Sequence, residues 1–153
     1  MDLHPDFKDL LAEFARSKVS YAVLGGYAVG YHAKPRATKD LDLLVSALGD
    51  NLERVAKALA AFGAPSNVVQ SVRTLAPTEV AYLGAPPVRV DILRSADGIE
   101  AEQVIARAEV ASVDGLAIPF ITLDDLITNK RAAAREQDIA DVAILERVRA
   151  AGR

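Results

Sequence analysis

Residues 24–28, Leu24-Gly25-Gly26-Tyr27-Ala28, and residues 36–45, Arg36-Ala37-Thr38-Lys39-Asp40-Leu41-Asp42-Leu43-Leu44-Val45, decide how this chain folds. Val19 to Leu24 is a short apolar run ending in Gly25-Gly26, so it reads as a buried strand entering a tight turn. Tyr27 to Ala33 reads as a helix that stops before Lys34-Pro35, because a residue preceding proline avoids the α region. Leu41 to Val45 is a second strand. Asp40 and Asp42 are two apart along it, so both side chains project to one face. At ~3.3 Å rise per residue their Cα atoms lie ~6.5–7 Å apart. Leu41 and Leu43 point the other way, into a core. Two acids at the mouth of an apolar strand pack poorly but chelate Mg²⁺ well, since that ion takes hard oxygen ligands. The competing reading is that they only solubilise a strand edge.

Further along, Val88-Arg89-Val90-Asp91-Ile92-Leu93 alternates like a strand and carries a third acid between two apolar residues. If it pairs beside the first acidic strand, Asp91 reaches the same cluster. Two metal ions can then be held, one for a triphosphate and one for an attacking hydroxyl. Gly25-Gly26 ends a strand and opens a helix, so backbone N–H groups can approach a phosphate. The pair is neither a P-loop, lacking the lysine-hydroxyl pair at Walker spacing, nor a dinucleotide fingerprint. Its weight comes from the D-x-D pair that follows one helix later, preceded directly by Arg36, Thr38 and Lys39. One intervening helix returns the chain to the same sheet end, so that anion donors face metal-binding acids.

The remaining pattern is α+β. Helices are expected over Asp6–Ser17, Asp50–Phe62, Ile99–Val110, Thr122–Ala134 and Gln137–Arg149, a hairpin over Thr78–Leu83 and Val88–Leu93, and a strand over Ala117–Phe120 after the Asp114-Gly115 turn. Thr122 and Asp125 make a capping-box-like start. The expected architecture is a mixed, mainly antiparallel sheet with helices packed on it, ending in a helical pair at about residues 119–150. With 153 residues, 51% hydrophobic and 25% charged, the chain makes one globular domain over 1–153. A net charge of −3 argues against a simple nucleic-acid-coating module. No apolar run is long enough for a membrane span, no leader pattern opens the chain, and there is no cysteine, so a cytoplasmic protein is expected.

These residues carry a family resemblance. LGGYAVGYHAKPRATKDLDLLV resembles the glycine-pair and D-x-D pattern of minimal nucleotidyltransferases of the DNA polymerase β superfamily, and VRVDIL resembles the strand that brings their third carboxylate. LDDLITNKRAAAREQDIADVAIL resembles the C-terminal ending of the AbiEii and MenT type, many of which are toxins of toxin–antitoxin pairs. The resemblance spans roughly residues 19–46, 88–93 and 119–145. It implies Mg²⁺-dependent transfer of a nucleoside monophosphate from an NTP to an acceptor hydroxyl, with release of pyrophosphate. Asp40, Asp42 and Asp91 would bind two Mg²⁺ ions, and Gly25, Gly26, Arg36, Thr38 and Lys130 the nucleotide. The acceptor would be RNA, such as a tRNA 3′ end, a protein or a small molecule, and an antitoxin-like protein is an implied partner. Gly26 stands where many relatives have serine, which removes a hydroxyl contact but keeps the backbone donors. The alternative is a catalytically silent nucleotide-binding or interaction module of the same fold.

Five further positions have more than one reading. Lys130 lies on the apolar stripe of Leu123, Leu126 and Ile127, where an unpaired ammonium is costly, so it either snorkels or meets an anion. Asp138 and Asp141 open the last helix, as caps, as partners of Arg135 or Lys130, or as functional acids. His32 is read as a structural histidine rather than a base. Arg36 either binds phosphate or lies on the surface.

Overall fold

The computed structural model describes residues 2–36, 40–85 and 88–152. Among the described residues thirteen elements follow in order: α1 (Pro5–Arg16), β1 (Tyr21–Leu24), α2 (Gly25–His32), β2 (Asp40–Val45), α3 (Asn51–Phe62), α4 (Ser66–Arg73), β3 (Val80–Ala85), β4 (Val88–Leu93), α5 (Ala101–Ala106), β5 (Glu109–Val113), β6 (Leu116–Phe120), α6 (Leu123–Ala133) and α7 (Glu136–Ala151). The strands form one six-stranded sheet in the order β3-β4-β2-β1-β6-β5. β1–β2, β3–β4 and β5–β6 are antiparallel, whereas β1–β6 and β2–β4 are parallel. The expected mixed, mainly antiparallel α+β sheet is therefore observed.

Strand alternation sorts the core into two layers. Leu41, Leu43, Val45, Val90 and Ile92 point to one face, where Phe7, Leu10 and Phe14 of α1 and Val55 and Leu59 of α3 cover them. Leu24 and Leu44 point to the other, against Ala28 and Val29 of α2, Leu126 and Ile127 of α6 and Leu145 of α7. Asp40 and Asp42 share the second face with Leu44, so the acids emerge beyond the edge of the layer built by α2, α6 and α7.

The structure corrects three expectations. The helix expected over Ile99–Val110 ends at Ala106, and Glu109–Val113 is instead β5, paired with β6. The cause is the tight turn at Asp114 (φ 51°) and Gly115 (φ 82°), which folds β5 back on β6 as a two-residue hairpin. A helix absent from the sequence reading, α4, buries Val69 and Val72 after Pro65. Gly25-Gly26 opens the helix as read, but the helix expected from Tyr27 starts two residues earlier: the pair lies in the first turn of α2, with Gly25 at φ 65°. The helical pair at the C-terminus is present as α6 and α7, and Thr122 accepts from the N–H of Asp125 as expected of a cap (3.2 Å). Asp125 does not return that bond but takes both ends of the Arg107 guanidinium, at 2.7 and 2.9 Å.

Leu43 lies fully buried directly beneath the acidic face. Leu43→Ala should cost about 3 kcal/mol in urea unfolding, from lost burial plus a cavity. Leu48→Ala, at a side chain 66% exposed, should change stability by less than about 0.5 kcal/mol.

Candidate active site

The register of two strand pairs places the acids. Asp42 lies opposite Asp91 in the parallel β2–β4 ladder, and opposite Leu24 in the antiparallel β1–β2 ladder. Asp91 in turn lies opposite Tyr82 of β3. One row across four strands thus reads Leu24, Asp42, Asp91, Tyr82. The adjacent row brings Asp40 opposite Arg89. Asp40, Asp42 and Asp91 consequently occupy one face, as two-residue periodicity requires.

Gly25 follows Leu24 and presses against Asp42. A Cβ at Gly25 would overlap Asp42 Oδ2, and its φ of 65° is itself unfavourable for any residue with a side chain. Glycine is required here because the start of α2 approaches a carboxylate. The first amides of a helix lack intrahelical acceptors, so the start of α2 adds anion-binding donors beside the acids.

Two carboxylates side by side in a half-enclosed place resist ionisation. Burial, then the charges of Asp91 and Asp40, push the Asp42 carboxyl up to about 7, against a smaller opposing pull from Lys130. Arg89 offsets the rest of the charge. Its Nε donates to Asp91 Oδ1 (2.9 Å), and its Nη2 donates to Asp91 Oδ2 (3.0 Å) and to Asp40 Oδ2 (3.2 Å). Asp40 Oδ1 is buried with no hydrogen-bond partner among the described residues. Among those residues no three acidic or histidine side chains close on a single point tightly enough to hold a metal ion as they stand. The strand carrying Asp91 does pair beside the strand carrying Asp40 and Asp42, so the backbone places all three acids together, and the guanidinium of Arg89 bonds to two of them.

Asp42 and Asp91 open on a cleft of about 390 Å³. Gly25, Asp42 and Asp91 form one wall, and Lys130, Arg135 and Asp138 of the helical pair face them, with Ser95, Asp97 and Asn129 along the rim. Lys130 is buried, and its ammonium is held by Asp138 Oδ1 (3.1 Å) and Asp141 Oδ2 (2.9 Å). Asp141 also takes both nitrogens of Arg36, at 2.5 and 3.1 Å. Arg135 donates to Asp138 from Nε (2.7 Å). Asp138 thus fills two of its readings, accepting from the Arg135 backbone N–H as a cap (3.2 Å) and pairing with Lys130 and Arg135; Asp141 has the partner role, and Lys130 meets an anion rather than snorkelling. Burial would raise the carboxyls of Asp138 and Asp141. The bonds from Arg135 and Lys130 to the first, and from Arg36, Lys130 and Gln137 to the second, outweigh it, lowering both and holding Asp141 at about 2.

Of the nucleotide-side residues read from sequence, Gly25 and Lys130 line the cleft, Gly26 follows in the first turn of α2, and Arg36 is directed to Asp141. Thr38 lies outside the described residues. His32 accepts its structural reading, with Nε2 2.6 Å from the Ile121 carbonyl. Sequence reasoning missed Arg89, Tyr82, Asp97 and Asn129, and read Arg135 only as a partner of the α7 acids. For Arg89 the signal was present: it stands two residues before Asp91 on an alternating strand, hence on the same face.

No protein-family model and no curated protein matches the chain. Solved structures do. The lincomycin-bound lincosamide antibiotic adenylyltransferase LnuA superposes with a TM-score of 0.62 at 15% identity, covering 95% of this chain and 98% of that one. The solution structure of the antibiotic-resistance factor ANT(2'')-Ia gives 0.59 at 16% identity, covering 97% and 89%. The crystal structure of ANT(2")-Ia in complex with adenylyl-2"-tobramycin gives 0.56 at 15% identity, covering 95% and 93%. At such identities the likeness establishes the fold alone, which this chain shares with these structures.

Two measurements test this geometry. A carboxyl held below its ordinary value stabilises the fold above the unfolded-state pKa and loses that stabilisation as pH falls through the folded one. Wild-type stability should therefore decline between about pH 4 and pH 2 as Asp141 protonates, from 3.8 in the free group to about 2 here. Asp141→Asn should be less stable at pH 7 by roughly 2 kcal/mol and flatter across that acid window in chemical denaturation. Gly25→Ala should lower stability by about 1–2 kcal/mol, from its left-handed backbone and the collision with Asp42.

Proposed function

We propose that this chain is a Mg²⁺-dependent nucleotidyltransferase that moves a nucleoside monophosphate from an NTP to an acceptor hydroxyl. The observation that carries the reading is the row in which Asp42 and Asp91 sit in register on neighbouring strands, with Asp40 two residues away and the glycine start of α2 against Asp42. Burying like charges together costs stability, and such an arrangement is kept where the charges have work to do. The buried Oδ1 of Asp40, without a partner among the described residues, and the neighbouring carboxylates of Asp42 and Asp91 are hard-oxygen donors of the kind Mg²⁺ takes, although they do not close on one point as they stand.

Asp40, Asp42 and Asp91 would hold the metal, which when bound neutralises charge on the reacting phosphate and acidifies the attacking hydroxyl. The remaining chemistry falls to the chain. Gly25, Gly26 and the first amides of α2 bind phosphate oxygens at the positive end of the helix. Lys130 and Arg135 face them across the cleft and set a positive potential for the triphosphate. An ammonium has three N–H donors; Asp138 and Asp141 take two of Lys130's, leaving one for phosphate. Arg36 acts through Asp141 by fixing the acid that positions Lys130, and Thr38 adds a hydroxyl to the phosphate side. Asp91, on the Tyr82 side of the row, takes the proton of the incoming hydroxyl. The hydroxyl oxygen bonds to the α-phosphorus, the bond from that phosphorus to the bridging oxygen breaks, and pyrophosphate leaves with the electron pair.

The acceptor we favour is a small-molecule hydroxyl. The rim of Ser95, Asp97 and Asn129 is polar and acidic, whereas an RNA strand calls for a basic track along its phosphates. The match over 98% of the length of a lincosamide adenylyltransferase points the same way. A tRNA 3′ end as acceptor, and an antitoxin-like partner, rest on the AbiEii and MenT-like motifs of the sequence. A catalytically silent nucleotide-binding module is the contrasting reading.

Incubation with each α-labelled NTP and Mg²⁺ separates these readings, using hydroxyl-bearing antibiotics, total RNA and the protein itself as parallel acceptors. Label is expected on a small molecule; label on RNA alone would reassign the acceptor, and nucleotide binding without transfer to any acceptor would support the silent module. Asp42→Asn should abolish transfer yet leave the metal-free protein at least as heat-stable, because it relieves repulsion among buried acids. Mg²⁺ should raise the wild-type Tm and change the variant's much less. A lower metal-free Tm in Asp42→Asn, with no Mg²⁺ effect on the wild type, would overturn the assignment.

A further inference from the structure

Arg89 is placed where a cation for the acid cluster would be. Its guanidinium grips both oxygens of Asp91 and one of Asp40, and lies 5.1 Å above the ring of Tyr82. Tyr82 is 54% exposed, an unusual position for a large aromatic on a sheet face, and its ring backs the guanidinium on the side away from Asp42. Gly84, opposite Arg89 on β3, puts no side chain in the way. The arrangement is bidentate on one acid and bridging to the next, the strongest geometry an arginine can offer to carboxylates.

We propose that Arg89 is a resident counter-ion that competes with the metal, so that loading the site requires it to leave Asp40 and Asp91. The inference rests on the nucleotidyltransferase reading and adds a regulatory residue to it. A guanidinium seated on these oxygens competes with a metal ion for them, by charge and by the space it takes. The three Arg89 bonds engage both oxygens of Asp91 and one of Asp40, leaving Asp40 Oδ1 as the buried carboxylate oxygen without a partner among the described residues. Metal alone therefore meets a weakened site. An NTP that brings its own metal supplies phosphate oxygens, which offer both new metal ligands and a new partner for the freed guanidinium. Displacement of Arg89 thus links metal loading to nucleotide arrival and keeps the cluster neutralised when no substrate is present. Tyr82 stabilises the closed arrangement by stacking, as a positioning residue.

The test is Mn²⁺ binding without nucleotide, followed by electron paramagnetic resonance of the free ion, for the wild type, Arg89→Gln, Arg89→Lys and Tyr82→Leu. Arg89→Gln should bind Mn²⁺ at least about tenfold more tightly than the wild type, and nucleotide should enhance that affinity much less than it does in the wild type. Arg89→Lys, which keeps the charge but loses the fork, should fall between, as should Tyr82→Leu, which leaves all the acids and Arg89 in place and guards against a misfolded glutamine variant. Equal or weaker Mn²⁺ binding by folded Arg89→Gln and Tyr82→Leu, with measurable wild-type binding abolished by Asp42→Asn, would overturn the role of Arg89 while leaving the metal site standing. Failure of every protein, with and without NTP, to bind Mn²⁺ would overturn both.

Discussion

Like charge held close is the constraint around which this molecule is arranged. β2 and β4 run parallel and in register, so each acid on one strand has a fixed neighbour on the other, and Asp42 cannot avoid Asp91. Parallel pairing is slightly the weaker kind of ladder. It holds here because the reverse faces of the same strands are apolar: Leu41, Leu43, Val90 and Ile92 are buried together against α1 and α3. A one-residue slip would bury the acids and expose the leucines, so the hydrophobic layer that stabilises the sheet also fixes the acids. Stability and the charged face are two sides of one register.

The second charged assembly answers the first across the cleft. At the helical positions of α7 that face inward, Asp138, Asp141 and Leu145, two of three residues are acids, and they are neutralised by Lys130, Arg36 and Arg135 from three different segments. Buried ion clusters often stabilise less than an apolar core of the same shape, because desolvation offsets the attraction. This one joins the segment after α2 to the helical pair, and it presents Lys130 and Arg135 to the acids opposite. The cost of the cluster is intelligible if the cleft must hold a polyanion between acids and cations.

How far the sequence revealed this depends on whether a signal was local. Apolar periodicity and the glycine pair gave β1, α2 and β2, and two-residue alternation gave the shared face of Asp40 and Asp42. The relation to Asp91 required knowing that β4 pairs with β2 across about 40 intervening residues, a topological fact that alternation suggests but does not contain. The segment Ile99–Val110 misled because Glu-Ala-Glu-Gln-Val-Ile-Ala has good helix formers that continue smoothly toward Glu109; tertiary pairing with β6 overrides that preference. Asp138 and Asp141 were ambiguous because an acid in a helix's first turns is also an ordinary dipole partner. Only their spacing to Leu145, one inward-facing row, distinguishes burial from capping, and that row is visible once Leu145 is known to be core.

The arginine shows why counting acids in a sequence falls short of describing a site. Three carboxylates in a row read as a vacancy for a metal, but a folded protein neutralises such a row with whatever cation lies within reach. Arg89 is on the same strand and the same face as Asp91, so its guanidinium needs no large loop movement to arrive, and Tyr82 gives it a surface on which to rest. A lysine there would supply charge without the fork that spans Asp91 and reaches Asp40. The chemistry of the acids is therefore inseparable from the residue that neutralises them: a stronger counter-ion makes a more stable resting protein and a site that is harder to load. The balance between those effects is set at one position, where the sheet brings a cation and the ligands it competes for onto a single face.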